Sequence, residues 1–180
     1  MEINKKILDD VAKAGANGTV DVLLKLFGIT VTVEATKVEE VLLTKGIEMI
    51  KSSRKYPLVL NAQLLSGVEV PSELALILSH EHALALVGLL NRRAIGSIEI
   101  LSDIERSALK EIFNIMSNLY VTSLSKYTSL DFTVGVPNLI TVGRLVSILE
   151  KNTLGKVFIF TTKLSIFNNI IETRLYMVFS

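Results

Sequence analysis

Few side chains in this sequence stand where their types and spacing could do chemistry, and the best placed lie in "SALKEIFNIMSNLY", residues 107 to 120. At about 100° per residue, Ser107, Glu111, Asn114, Asn118, Thr122 and Ser125 fall on one narrow stripe of a helix. Leu109, Ile112, Ile115, Met116, Leu119 and Tyr120 cover the arc expected to pack on a sheet. Asparagine costs roughly a few tenths of a kcal/mol against alanine in mid-helix, so two on one stripe are a mild anomaly. Glu111 supplies an acceptor, and one turn later the Asn114 amide both donates and accepts. On pattern alone the stripe is a solvated face or a surface that meets a partner.

Other reactive residue types carry less. His80 and His82 are two apart, which separates them on a helix, and no nearby acid completes a metal set, so a surface or capping role is expected. "GANG" at 15 to 18 lacks the Lys-Ser and flanking strand of a phosphate loop, and predicts close helix packing. The chain has no Cys, which excludes disulfides and thiolate metal sites. Serine with only two clustered histidines does not suggest nucleophilic catalysis. Met49, Met116 and Met177 read as core filler.

The elements that must position the stripe come from self-comparison. At a shift of 101, residues 7 to 33 lie over 108 to 134 without a gap, with Leu8/Leu109, Asn17/Asn118, Val20/Val121 and Leu23/Leu124 identical. "LVLNAQL" (58 to 64) lies over "FIFTTKL" (158 to 164) at 100, and "ELALILS" (73 to 79) over "RLYMVFS" (174 to 180) at 101. The reading is one domain over 1–180, made of two repeats at about 1–92 and 102–180. Each begins with a long helix, near 5–27 and 103–128, the second opened by a Ser102/Glu105 capping box. Strands follow over "ITVTVEAT" and "LDFTVGVP", then connections near 37–53 and 139–151. Paired strands close each half, near 57–65 and 72–79, then 155–165 and 170–179, with turns at "SGVEVPS" and "FNN". A helix near 80–92 and the linker "NRRAIGSIEI" complete the first half. The second half stops at Ser180 without an equivalent helix. The fold class predicted is a layered α/β domain with pseudo-twofold symmetry, each half a long helix followed by three strands.

Bulk composition narrows the function classes. The 180 residues are 49% apolar, enough for a sizeable core. Nineteen basic and eighteen acidic residues leave a formal charge of +1, which speaks against nucleic acid as a partner. Apolar runs such as "ELALILSHEHALALVGLL" are interrupted before the roughly 18 residues of a membrane span. The charged start "MEINKKILDD" lacks a signal-peptide core, so a cytoplasmic location is expected.

On Ser107, Glu111, Asn114 and Pro137 the sequence resembles the CheC-type chemotaxis phosphatases, relatives of CheX and of the flagellar switch proteins FliY and FliM. Their signature is Ser or Asp, three residues, Glu, two residues, Asn, then twenty-two residues and Pro, and all four positions are met here. The resemblance implies hydrolysis of the aspartyl phosphate on a CheY-type response regulator, the regulator carrying its own Mg²⁺ and this chain no metal or cofactor. It assigns Asn114 to orient the attacking water and Glu111 to pair with the regulator's lysine, with Ser107 and Pro137 in support. Phe113 stands where family members commonly have Gly, and by angle it should pack away from the stripe. The family usually carries a second site on the first helix. Here its positions hold Lys6, Asp10, Lys13 and Thr36, so that site is degenerate, and Asp10 and Lys13 are expected to form a weak exposed ion pair.

The resemblance also implies CheD, a receptor deamidase, as a possible partner through the C-terminal half, where the missing helix would matter. Without that helix, Phe158, Phe160, Tyr176 and Phe179 are expected to leave an apolar surface open to self-association. The alternative function is a regulator-binding or flagellar-switch-like module without catalysis.

Overall fold

The computed structural model describes residues 4–53, 57–66, 72–93, 100–128, 130–151, 155–167 and 169–179. Its elements are α1 (Lys5–Phe27), β1 (Val31–Leu42), α2 (Leu43–Lys51), β2 (Leu58–Ser66), β3 (Ser72–Leu78), α3 (His80–Leu90), α4 (Asp103–Thr128), β4 (Phe132–Val134), β5 (Asn138–Ile140), α5 (Val142–Leu149), β6 (Lys156–Ile166) and β7 (Asn169–Phe179). Local chemistry sets the helix ends. Asn4 Oδ1 accepts from Ile7 N at 3.0 Å, and α1 stops at Gly28, whose φ of 66° suits a residue without a side chain. Ser102 N donates to Glu105 Oε2 at 2.7 Å and Glu105 N to Ser102 Oγ at 3.4 Å, the capping box read from the sequence. Ser79 caps α3 by accepting from His82 N at 3.1 Å.

The strands form one antiparallel sheet in the order β1-β6-β7-β3-β2-β4, with β5 also paired to β2. Its inner strands are apolar on both faces because helices cover both. Phe158, Phe160, Leu76 and Leu175 face the layer of α1, α3 and α4, while Val157, Ile159, Ala75 and Tyr176 face α2 and α5. No helix among the described residues is long and apolar enough to cross a membrane.

The long helices touch where glycine permits it. A Cβ on Gly15 would stand 2.6 Å from three ring atoms of Tyr120, and one on Gly18 would stand 3.0 Å from Leu119. The "GANG" stretch therefore serves helix packing. Tyr120 reaches past that contact to the sheet, its ring centroid 5.3 Å from Phe160 and its OH 2.9 Å from Thr162 Oγ1.

The ladders correct several expectations. The first strand runs on to Leu42, through part of the expected connection, because Lys37–Leu42 pair with Thr161–Lys156. Its counterpart is broken into β4 and β5 around residues 135–137, so the second half has four strands rather than three. Register explains the break. Val31 pairs Ile166 as Phe132 pairs Ser66, and Val38 pairs Phe160 as Leu139 pairs Leu60, so the two edges share offsets of 101 and 100. Thr36 pairs Thr162 in the first edge. Pro137 holds the position matching Thr36 and has no N–H to give.

The closing hairpins differ by two residues from the sequence alignment. Leu60 pairs Leu76 and Phe160 pairs Leu175, which sets β3 over β7 at 99 instead of 101. The slip is even, so every side chain keeps its face. The expected apolar surface is also absent. Phe158, Phe160 and Tyr176 are buried, and half-buried Phe179 packs edge-on with Phe158 at 5.5 Å and Phe132 at 6.0 Å. The helix layers on both faces remove that ground for self-association. α3 ends at Leu90, and residues 67–71 of the first turn and 94–99 of the linker lie outside the described residues.

Candidate functional site

The polar stripe of α4 lies outside the core, and the face opposite it is buried. Leu109, Ile112, Phe113, Met116, Tyr120 and Leu124 are buried, while Ile115 and Leu119 are half-buried at the margins. Phe113 is fully enclosed and faces away from the stripe. Ser107, Glu111, Asn118 and Thr122 are exposed, and Asn114 and Ser125 are half-buried.

Each stripe residue has a distinct state. Ser107 Oγ donates to Asp103 O of its own helix at 2.9 Å. Glu111 enters none of the hydrogen bonds or ion pairs found among the described residues, which leaves its carboxylate available. Asn118 Nδ2 donates to Asn114 O at 2.7 Å and to Asn114 Oδ1 at 3.1 Å, so Asn114 is held from the turn after it. Sequence periodicity places Asn118 on the stripe but gives no sign of these bonds.

Pro137 belongs to the chain that returns along α4. Phe132 N donates to Ser125 Oγ at 3.1 Å, and both β4 and β5 pack on α4. Pro137 itself is half-buried and lies between β4 and β5, on the sheet edge.

The first helix offers no equivalent. Lys6 and Lys13 are exposed, Asp10 is half-buried, and Asp10 and Lys13 do not approach within ion-pair distance. That corrects the expected pair: two solvated side chains gain too little from one contact to hold it. Thr36 lies in β1, its Oγ1 buried without a hydrogen-bond partner.

Two cavities among the described residues lie elsewhere. One of about 690 Å³ is lined by Asn61, Glu73, Gly135, Val136, Arg144 and Lys151 among others, and one of about 460 Å³ by His82, Glu172, Arg174 and Tyr176 among others. Neither includes Ser107, Glu111 or Asn114. His82 Nδ1 instead lies 3.2 Å from Glu172 O and ties α3 to β7. Burial pushes the Glu73 carboxyl above its usual range, opposed by the hydrogen bond from Asn61 Nδ2 at 2.9 Å. The Ser102 backbone N–H holds Glu105 below its usual range, helped by the Ser102 hydroxyl and by Arg93 at 3.5 Å. Among the described residues no group of three or more His, Asp or Glu could hold a metal. Exposed Glu111 and half-buried Asn114 lie on the outer face of α4, which suits a large partner more than a small molecule enclosed in a pocket.

Neither a protein-family model nor a curated protein matches the chain. Solved structures do. FliY of Thermotoga maritima is 17% identical over 100% of this chain and 92% of that one, with a TM-score of 0.69. CheX in a CheX-CheY-BeF3-Mg²⁺ complex from Borrelia burgdorferi is 16% identical over 97% and 96%, with a TM-score of 0.57. A chain of the FliG-FliM complex from H. pylori is 11% identical over 97% and 93%, with a TM-score of 0.67. The likeness establishes the architecture: the chain has the CheC-like fold of the FliY and CheX proteins.

Proposed function

We propose that this chain is a phosphatase for the aspartyl phosphate of a CheY-type response regulator, working through one site on α4. The observation that carries the reading is a free carboxylate and a tethered carboxamide, Glu111 and Asn114, one turn apart on an exposed helix outside every described cavity. Such an exposed helical surface suits a large partner more than an enclosed small substrate, so in this reading the phosphoryl group arrives on a macromolecule. The CheX relative solved with CheY supports the class of partner.

In the docked complex Glu111 pairs with a lysine of the regulator and fixes the register, and Asn114 places a water in line with the phosphorus. The water's oxygen bonds to phosphorus as the aspartyl oxygen leaves, restoring the carboxylate and releasing inorganic phosphate, which carries off the water's protons. A Mg²⁺ bound by the regulator would neutralise the phosphoryl oxygens. This chain contributes position and hydrogen bonds, which suffice for large rate effects when the rest of the site is preassembled.

A second reading has its own support, because the likeness to the chain of the FliG-FliM complex is as high as that to CheX. In that reading the chain binds a regulator or switch component and leaves its phosphate alone. Phosphate decay separates the two. The enzyme shortens the lifetime of a phosphorylated CheY-type regulator and Asn114→Ala removes most of the effect, about 10² to 10³-fold by analogy with loss of one transition-state hydrogen bond. A regulator that binds at unchanged lifetime identifies the module.

A further inference from the structure

We infer that Asn118 is a positioning residue for the reaction proposed above, on which this inference rests. A carboxamide is nearly symmetric in shape, so packing alone sets neither end of Asn114 outward. Asn118 breaks the symmetry. Its NH₂ group donates to Asn114 twice, to the backbone O at 2.7 Å and to Oδ1 at 3.1 Å. The Asn114 oxygen is thereby turned toward the following helical turn and its NH₂ away from it. No other side chain among the described residues hydrogen-bonds the Asn114 amide. Asn114 is half-buried while Asn118 is exposed, so the outer residue orients the inner one from the surface.

The consequence is chemical. With Oδ1 occupied on one lone pair, the fixed NH₂ donates a hydrogen bond to a phosphoryl oxygen, and the remaining Oδ1 lone pair can accept a hydrogen bond from the attacking water, whose protons leave with the phosphate. A freely rotating amide would offer the reverse arrangement for part of the time. Loss of the tether acts on the reacting geometry and leaves docking through Glu111 in place.

The test is single-turnover decay of a phosphorylated CheY-type regulator, followed against the concentration of the full chain. Asn118→Leu removes the donor at similar size and lowers the saturating rate about tenfold, with half-saturation unchanged. Asn118→Asp is the closest in shape but only accepts, so it turns the amide over and falls at least as far. Asn118→Gln is longer but keeps the donor and recovers most of the rate. A role in shape alone predicts the opposite order, with Asp near wild type and Gln worse, and that order overturns the inference. Wild-type rate in Asn118→Leu also overturns it, while the phosphatase reading stands. A wild-type chain that does not speed decay removes the phosphatase reading, and the positioning role with it. Because Asn118 is exposed, all three variants are expected to fold, which circular dichroism verifies.

Discussion

Glu111 and Asn114 are distinguished by what surrounds them. Both sit on the open face of α4, away from the two cavities described above, and of the two only Asn114 is tied to another side chain among the described residues. The stripe was legible in the sequence because a 3.6-residue period places Ser107, Glu111, Asn114 and Asn118 together whatever the tertiary structure. The tether was not, because periodicity fixes the direction of a Cβ and leaves rotamers and amide orientation open. Lys13 was legible too, as a cation at the position where the other half has its amide.

Glu73 gives a prediction outside the site. Its carboxyl is raised by burial, so the folded state holds the proton more tightly than the unfolded chain. Stability should therefore fall as pH rises from about 4.3, the ordinary glutamate value, until the raised value is passed. Glu73→Gln keeps an acceptor for Asn61 Nδ2 and carries no charge. In urea unfolding the variant should gain on the wild type as pH rises through that window. Parallel curves at all pH values would show that Glu73 bears no burial penalty.

At the scale of elements, the long helices were legible to the residue and the edges of the sheet were not. α1 and α4 carry their own start and stop signals in Asn4, Gly28 and the Ser102/Glu105 box. β1 has no such signal, since its length is set by the eleven residues of β6 beside it. The β4/β5 break needed the register, which places Pro137, a residue with no N–H, at the position matching Thr36 of the unbroken β1.

Helix contact makes a sharper demand. Tyr120 is held by Phe160 and Thr162 and cannot swing clear of a methyl group on Gly15. Gly15→Ala gains roughly 1 kcal/mol of helix propensity but overpacks a fixed ring, which costs about 1 to 3 kcal/mol. A net loss is expected, seen as a lower urea midpoint at unchanged slope. A variant as stable as wild type would mean that the α1–α4 contact opens freely.

For the whole molecule, the decisive feature is exchange of edges. β1 of the first half pairs with β6 of the second, and β4 and β5 of the second pair with β2 of the first. β3 and β7 join the two halves at the centre. Neither half has its outer strand without the other, so the full chain should unfold in one transition, with far-ultraviolet circular dichroism and tyrosine fluorescence coincident. Residues 1–92 alone should show no cooperative transition. Two separated transitions would contradict this picture. The internal similarity was legible as a shift of about one hundred, but the strand exchange was not, because self-alignment shows which segments correspond and says nothing of which ones pair.

This architecture leaves α4 with one covered and one open face, and the account stands or falls on what the open face does. The most direct measurement is the rate of phosphate loss from a phosphorylated CheY-type regulator as the full chain is titrated in, beside the Asn114→Ala variant. With wild type the rate should rise and saturate, while the variant should bind at similar concentrations and keep no more than about one per cent of that gain, the counterpart of a loss of about 10² to 10³-fold. Equal saturating acceleration by both proteins, or none by either, would contradict it.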